Sequence, residues 1–182
     1  MKKLIILSSL VVCVAGAKAG EPAFQASLTP DIAVQSKDTR INGLSLNIWG
    51  ENPQSGVALG FVNGSSGESK GFTWGLFNYA DSYTGVSWGL ANYSKTSFVG
   101  WQGGILFFPC LVNVAEGKCV GFQEGVVNYA KEFHGFQLAI VNFTEQLHGV
   151  QIGIVNIAMN NSWFHDFPDQ LAKGFPIVNW SF

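Results

Sequence analysis

The chain has 182 residues and a net charge of −2, with 47% of its residues hydrophobic and only 12% charged. That length suffices for one domain with a continuous core. An acidic, weakly charged chain lacks the basic footprint with which proteins hold nucleic acid or anionic membranes, so neither is expected as a partner.

Lys2 and Lys3 precede the apolar run Leu4 to Val14, and Ala17-Lys18-Ala19 follows it. This order of basic, apolar and small residues predicts a secretory signal peptide over residues 1–19. The apolar run is too short for a spanning helix, and no later run reaches the roughly 18 residues that one needs, so no transmembrane helix is expected. Cys13 follows Leu10-Val11-Val12, which lacks the small residues of a lipid-attachment box. Without Lys2, Lys3 and Lys18, 7 basic residues face 12 acidic ones and the net charge becomes −5. Cys110 and Cys119 then remain, and in an exported chain their spacing reads as a short-loop disulfide.

Residues 20–40 carry no repeat and read as an N-terminal capping segment, with one strand-like alternation over Phe24 to Leu28. From 41 to 158 one unit recurs, mostly every 14 residues: a glycine, alternating apolar and small or polar residues, and an asparagine at the eighth position. The clearest copies start at Gly71, Gly85, Gly121, Gly135 and Gly149, and their asparagines are Asn78, Asn92, Asn128, Asn142 and Asn156, with Asn63 in an earlier copy. The copy at Gly100 is lengthened by ILFFPC, with Pro109 in the added piece, which suggests a protruding loop. Residues 159–173 read as an irregular loop, and 174–182 as a truncated C-terminal copy.

Period two over such short stretches predicts strands, and a fixed short period predicts one unit stacked on itself. The expected fold is all-β: a single repeat domain, a β-solenoid of coils about 14 residues long. In that arrangement the six asparagines form a ladder from coil to coil. The competing architecture is an antiparallel meander closed as an outer-membrane β-barrel. It is disfavoured by Glu124 in the apolar row and by the phase of the alternation counted back from Phe182.

The Gly-Val-Gln-x-Gly-x-Val-Asn units, TRINGLSLNIWGENP near the start and FPIVNWSF at the end resemble the spirochaete-type bacterial surface-repeat family. The resemblance covers about Phe24 to Phe182. It implies export to the cell surface, outer membrane or periplasm, and it brings no catalytic residues with it.

The residues offer little chemistry. His134 and His148 occupy matching positions and would stack, but Thr84, Val99 and Val120 stand where further ligands would be, so no metal is expected. His165-Asp166 lies near Asp169 without a nucleophile. Asp81, Glu116, Glu132 and Glu145 are dispersed along the turns, so a carbohydrate-cleaving solenoid is a remote alternative. No cofactor is expected. The row Thr73, Ser87, Gln102, Gln123, Gln137 and Gln151 is read as exposed, and so as the candidate recognition surface for an unknown protein or carbohydrate. The expected role is therefore non-enzymatic: a structural or interaction module of the cell envelope, with association to the outer membrane as part of the barrel alternative.

Overall fold

β-Strand is the only extended regular structure among the described residues, which in this computed structural model are 20–104 and 110–182. The expected signal peptide and most of the ILFFPC insertion lie outside them. In chain order the strands are β1 (Phe24–Thr29), β2 (Ile32–Ala33), β3 (Ile41–Glu51), β4 (Gln54–Trp74), β5 (Phe77–Trp88), β6 (Ala91–Gly103), β7 (Val112–Ala158) and β8 (Gly174–Ser181). They form one mixed sheet in the order β2-β1-β3-β4-β5-β6-β7-β8, with β2 and β8 as its two ends, so the sheet is not closed.

From β1 and β3 through β7, sequence neighbours in this order pair in parallel. The repeat units lie in register: Gly43 pairs with Gly56, Gly71 with Gly85, Gly85 with Gly100 and Gly100 with Gly121. An antiparallel meander would have reversed each of these pairings. Spacings that depart from 14 are absorbed by register shifts, between Ser65 and Glu68 and between Ala80 and Ser82, so the inward positions stay aligned.

The glycine column marks the corner of each unit. Gly135 has φ +136°, and a Cβ there would run into the carbonyl oxygen of Gly121 in the unit before it. Only glycine meets both demands, a left-handed backbone and a close approach of two chains.

The two ends differ from the sequence reading. Within the capping segment, β1 pairs in parallel with β3, and buried Gln25 faces Ser45 in the same inward row as the repeats, so the repeat pattern begins before residue 41. The segment 174–182, expected as a truncated copy, is corrected by its direction. β8 runs antiparallel to the last unit, pairing Gly149 with Ser181 and Gly153 with Ile177. Residues of the preceding irregular segment then lie along its outer edge: Gln170 bridges Ser181, Leu171 N bonds Trp180 O, and Phe182 N bonds Asp169 O. An edge strand so covered offers little to another sheet.

Candidate functional site: amide ladders inside and an apolar face outside

Each repeat unit turns few side chains inward, and most of them are polar. Counting the corner glycine as position one, positions three, eight, ten and thirteen of the Gly135 unit are Gln137, Asn142, Thr144 and Leu147, all fully buried. The interior is divided between amides on one side and a column of small and aromatic side chains on the other. That column contains Ala80, Tyr83, Phe98, Ala115, Cys119, Ala130, Phe133, Leu147 and Ala158.

The asparagines form one continuous ladder. Asn47 Nδ2 donates to Asn63 Oδ1 at 2.9 Å, and the same bond repeats from Asn63 to Asn78, Asn78 to Asn92, Asn92 to Asn113, Asn113 to Asn128, Asn128 to Asn142 and Asn142 to Asn156 at 2.8–3.0 Å. From Asn63 to Asn156 each ladder amide nitrogen also donates to a backbone carbonyl. Asn63 donates to Trp74 O, Asn78 to Trp88 O, Asn142 to Ile152 O and Asn156 to Phe175 O. Thr73 and Ser87 donate their hydroxyls to Asn78 and Asn92 Oδ1 at 3.1 and 2.8 Å. Buried amides cost several kcal/mol when unpaired, and this network leaves its asparagines paired on both sides.

Asn47 and Asn113 belong to this ladder although the repeat pattern did not single them out. Asn113 follows the lengthened unit. Asn47 sits at position five and reaches the ladder because its own unit has Gly50 where the asparagine would be; a Cβ at Gly50 would strike the Asn47 amide. The signal for Asn113 was present in the Leu-Val-Asn-Val-Ala string, displaced by the insertion.

The row read as a recognition surface is corrected. Gln102, Gln123, Gln137 and Gln151 are at most 1% exposed, and Thr73 and Ser87 are also buried. Gln123 Nε2 donates to Gln102 Oε1, Gln137 to Gln123 and Gln151 to Gln137, at 2.7–2.9 Å. These donors point toward the N-terminal units and the asparagine donors toward the C-terminal ones, so the two ladders oppose each other's dipoles. The physical reason for the burial is geometric: identical amides one strand spacing apart bond each other, and glycine or alanine at position five leaves them room. A Cβ on Gly153 would meet Ala139 O and Asn142 Nδ2.

The disulfide is corrected as well. Cys110 and Cys119 are both free and buried, and they occupy different columns. Cys119 pairs in register with Phe98 in the aromatic column, whereas Cys110 Sγ bonds Asn113 Oδ1 at 3.2 Å and Val112 O at 3.3 Å beside the ladder. Burial pushes the Cys110 thiol up to about 11, more than its hydrogen bonds lower it, and the Cys119 thiol up to about 12.

The titratable groups singled out in the sequence lie in separate places. The His134 and His148 rings stack with centroids 4.6 Å apart, and His134 Nε2 lies 2.8 Å from Glu132 Oε1. Lys118 Nζ lies at the same distance from that oxygen, and these two partners, Lys118 first, hold Glu132 below the usual carboxylate range. Asp81 accepts from Gly67 N and Glu145 from the Tyr129 hydroxyl. His165, Asp166 and Asp169 are exposed in the irregular segment. Among the described residues no three His, Cys, Asp or Glu side chains gather as a metal site.

With the polar row inside, large apolar side chains occupy the surface. Position six holds Ile48, Phe61, Leu76, Leu90, Leu111, Val126, Ile140 and Ile154. Positions four and seven flank it with residues such as Leu46, Trp74, Leu138 and Ile152 on one side and Trp49, Phe77, Val127 and Val155 on the other; all eight are exposed. Small residues at position five make a shallow groove between the rows, lined near the C-terminal end by Leu138, Ile140, Ile152, Ile154 and Ile177.

Charge lies elsewhere on the repeat unit. Between Gly43 and Ala158, every Asp, Glu, Lys and Arg except Glu51 and Glu124 falls between position ten and the next corner. Tyr79, Tyr93 and Tyr129 stand at the border, in position nine. Tyr79 donates to Glu51 at 2.7 Å and Tyr129 to Glu145 at 2.8 Å. Burial and then the Glu51 bond push Tyr79 up to about 12, and the bond to Glu116 raises Tyr93. This segregation was the sequence signal for the orientation of the rows.

No family model, curated protein or solved structure matches the chain. No helix among the described residues is long and apolar enough to cross a membrane.

Proposed function

We propose that the chain is an exported, non-enzymatic repeat protein of the bacterial cell envelope, built as a β-solenoid and acting as a structural or interaction module. The observation that carries this reading is the Asn47 to Asn156 ladder: parallel units in register, with the buried amides committed to holding coil on coil. The row that the sequence offered for recognition is buried in that scaffold, and the acid–base candidates lie in separate places, His134 and His148 beside Glu132 and His165 with Asp166 in the irregular segment. What remains free to meet a partner is the outer surface. The resemblance to the spirochaete-type surface-repeat family and the signal-like N-terminus support export.

The architecture is tested at Ile140 and Ile154, which sit in the same exposed row of successive coils. In the I140C/I154C double variant a solenoid brings the two thiols within about one strand spacing, near 5 Å, and oxidation should link them within one chain. In a meander they would stand at opposite ends of neighbouring strands, and no intramolecular link would form. Export is tested by fractionation and N-terminal sequencing. A chain beginning near Gly20 outside the cytoplasm is expected, and an unprocessed cytoplasmic chain would overturn the localisation.

A further inference from the structure

We infer that the apolar face, centred on the Ile48 to Ile154 row, lies on the surface of a zwitterionic lipid bilayer. The inference rests on the proposed solenoid reading and names the partner of its outer surface. Eight coils at about 4.8 Å each give the row a length of roughly 35 Å. Over that length positions four, six and seven are apolar in every coil except for Gly103 and Glu124 at position four. Exposure along position six runs from 47% at Leu76 to 68% at Ile154, with only Leu90 and Val126 half-buried. The face amounts to on the order of 1,000 Å² of apolar surface, beyond the few hundred that a soluble monomer leaves in one patch.

Three observations favour lipid over a second protein surface. Specific protein interfaces of this size carry on the order of ten direct hydrogen bonds to fix register, and this face offers almost no donors or acceptors. Its one carboxylate, Glu124, is half-buried, with its side chain folded against Gly103 at the edge of the apolar row. The border carries Tyr79, Tyr93 and Tyr129, whose rings adjoin the apolar rows while their hydroxyls reach Glu51 in the border position itself and Glu116 and Glu145 on the charged side. Amphipathic rings in that position match the level of lipid headgroups. Apart from Glu51 and Glu124, charge between Gly43 and Ala158 keeps to the far side of the coil, as in elements that lie in a membrane interface with their apolar side a few ångströms deep. The acidic balance of the chain favours zwitterionic headgroups over anionic ones.

The test is flotation of the purified chain with vesicles of pure phosphatidylcholine, read at 0.15 and 1 M NaCl. The chain should float with the vesicles equally at both salt concentrations, because apolar burial is not screened. The I140K/I154K variant should lose about tenfold or more of its bound fraction, and Lys131→Gln on the charged side less than twofold. Both isoleucines are at least half exposed, and an unchanged thermal melt checks that the variant is folded. Brominated phosphatidylcholine gives a readout on the unaltered chain: it should quench the fluorescence of Trp49 and Trp74, which stand on this face. A chain that stays below the vesicles, is released by 1 M salt or shows no quenching overturns the inference. If that chain is also a dimer by light scattering, a second copy covers the face instead. Purified lipid is blind to export and location, so this test fails independently of the envelope reading.

Discussion

Asn128 shows how a buried polar residue can be the strongest structural choice at its site. Its amide accepts from Asn113 and donates to Asn142, and also reaches Gln123 O and Leu138 O. Asn128→Ala strands partners on both sides, at about 1–3 kcal/mol for each buried group left unpaired. We expect a loss of about 2–4 kcal/mol in urea denaturation. Asn128→Asp should cost more at pH 7, because an ionised carboxylate has no hydrogen to give and faces Asn142 Oδ1 and two carbonyls. Burial raises the pKa of such a carboxyl, so the deficit against the wild type should shrink as pH falls toward 4, where the protonated acid donates again. An Asp variant as stable as the wild type at pH 7 would place residue 128 outside the ladder.

At the scale of the element, the repeat is the unit of both sequence and energy. Each repeat pairs mainly with the one before and the one after, so stability should approximate a sum of repeat and neighbour terms. Deleting residues 135–148 joins His134 to Gly149 and lets Asn128 and Gln123 meet Asn156 and Gln151, the same residue types that they meet now. That shortened chain should fold cooperatively with lower stability. Deleting only 135–141 removes a corner glycine and sets Asn142 half a turn out of register, and circular dichroism should show loss of the native strand signal. Equal tolerance of both deletions would mean that the ladders do not define the register.

For the whole molecule, the two thiols report on global opening. Cys110 and Cys119 are buried in different columns, and their pKa values near 11 and 12 keep them protonated through neutral pH. Neither should react with a thiol reagent at pH 8 until the chain unfolds, and both should then react together. Because burial raises both values above the ordinary thiol pKa, the folded chain holds these protons where the unfolded one releases them. That contribution to stability is complete below about pH 9 and is lost as pH rises toward 11–12. Rapid labelling of either thiol in the native state would show that its column opens locally.

The sequence by itself determined the unit, its period and the strand character of the chain, because a 14-residue recurrence with period-two alternation allows few other solutions. The corner glycines and six of the eight ladder asparagines were legible for the same reason: every copy repeats the same backbone demand. Alternation states that a strand has two unlike faces, however, and does not say which of them is inside. The usual rule places the isoleucines inward. Tertiary structure decided the reverse, since parallel units in register place identical side chains one strand spacing apart, where Gln and Asn bond their own copies while Ile154 and Ile140 cannot. The directions of the two ends were decided there too. The letters of FPIVNW are those of a repeat, but with Lys173 O pairing Ala158 N the chain has turned back, and β8 closes the stack antiparallel.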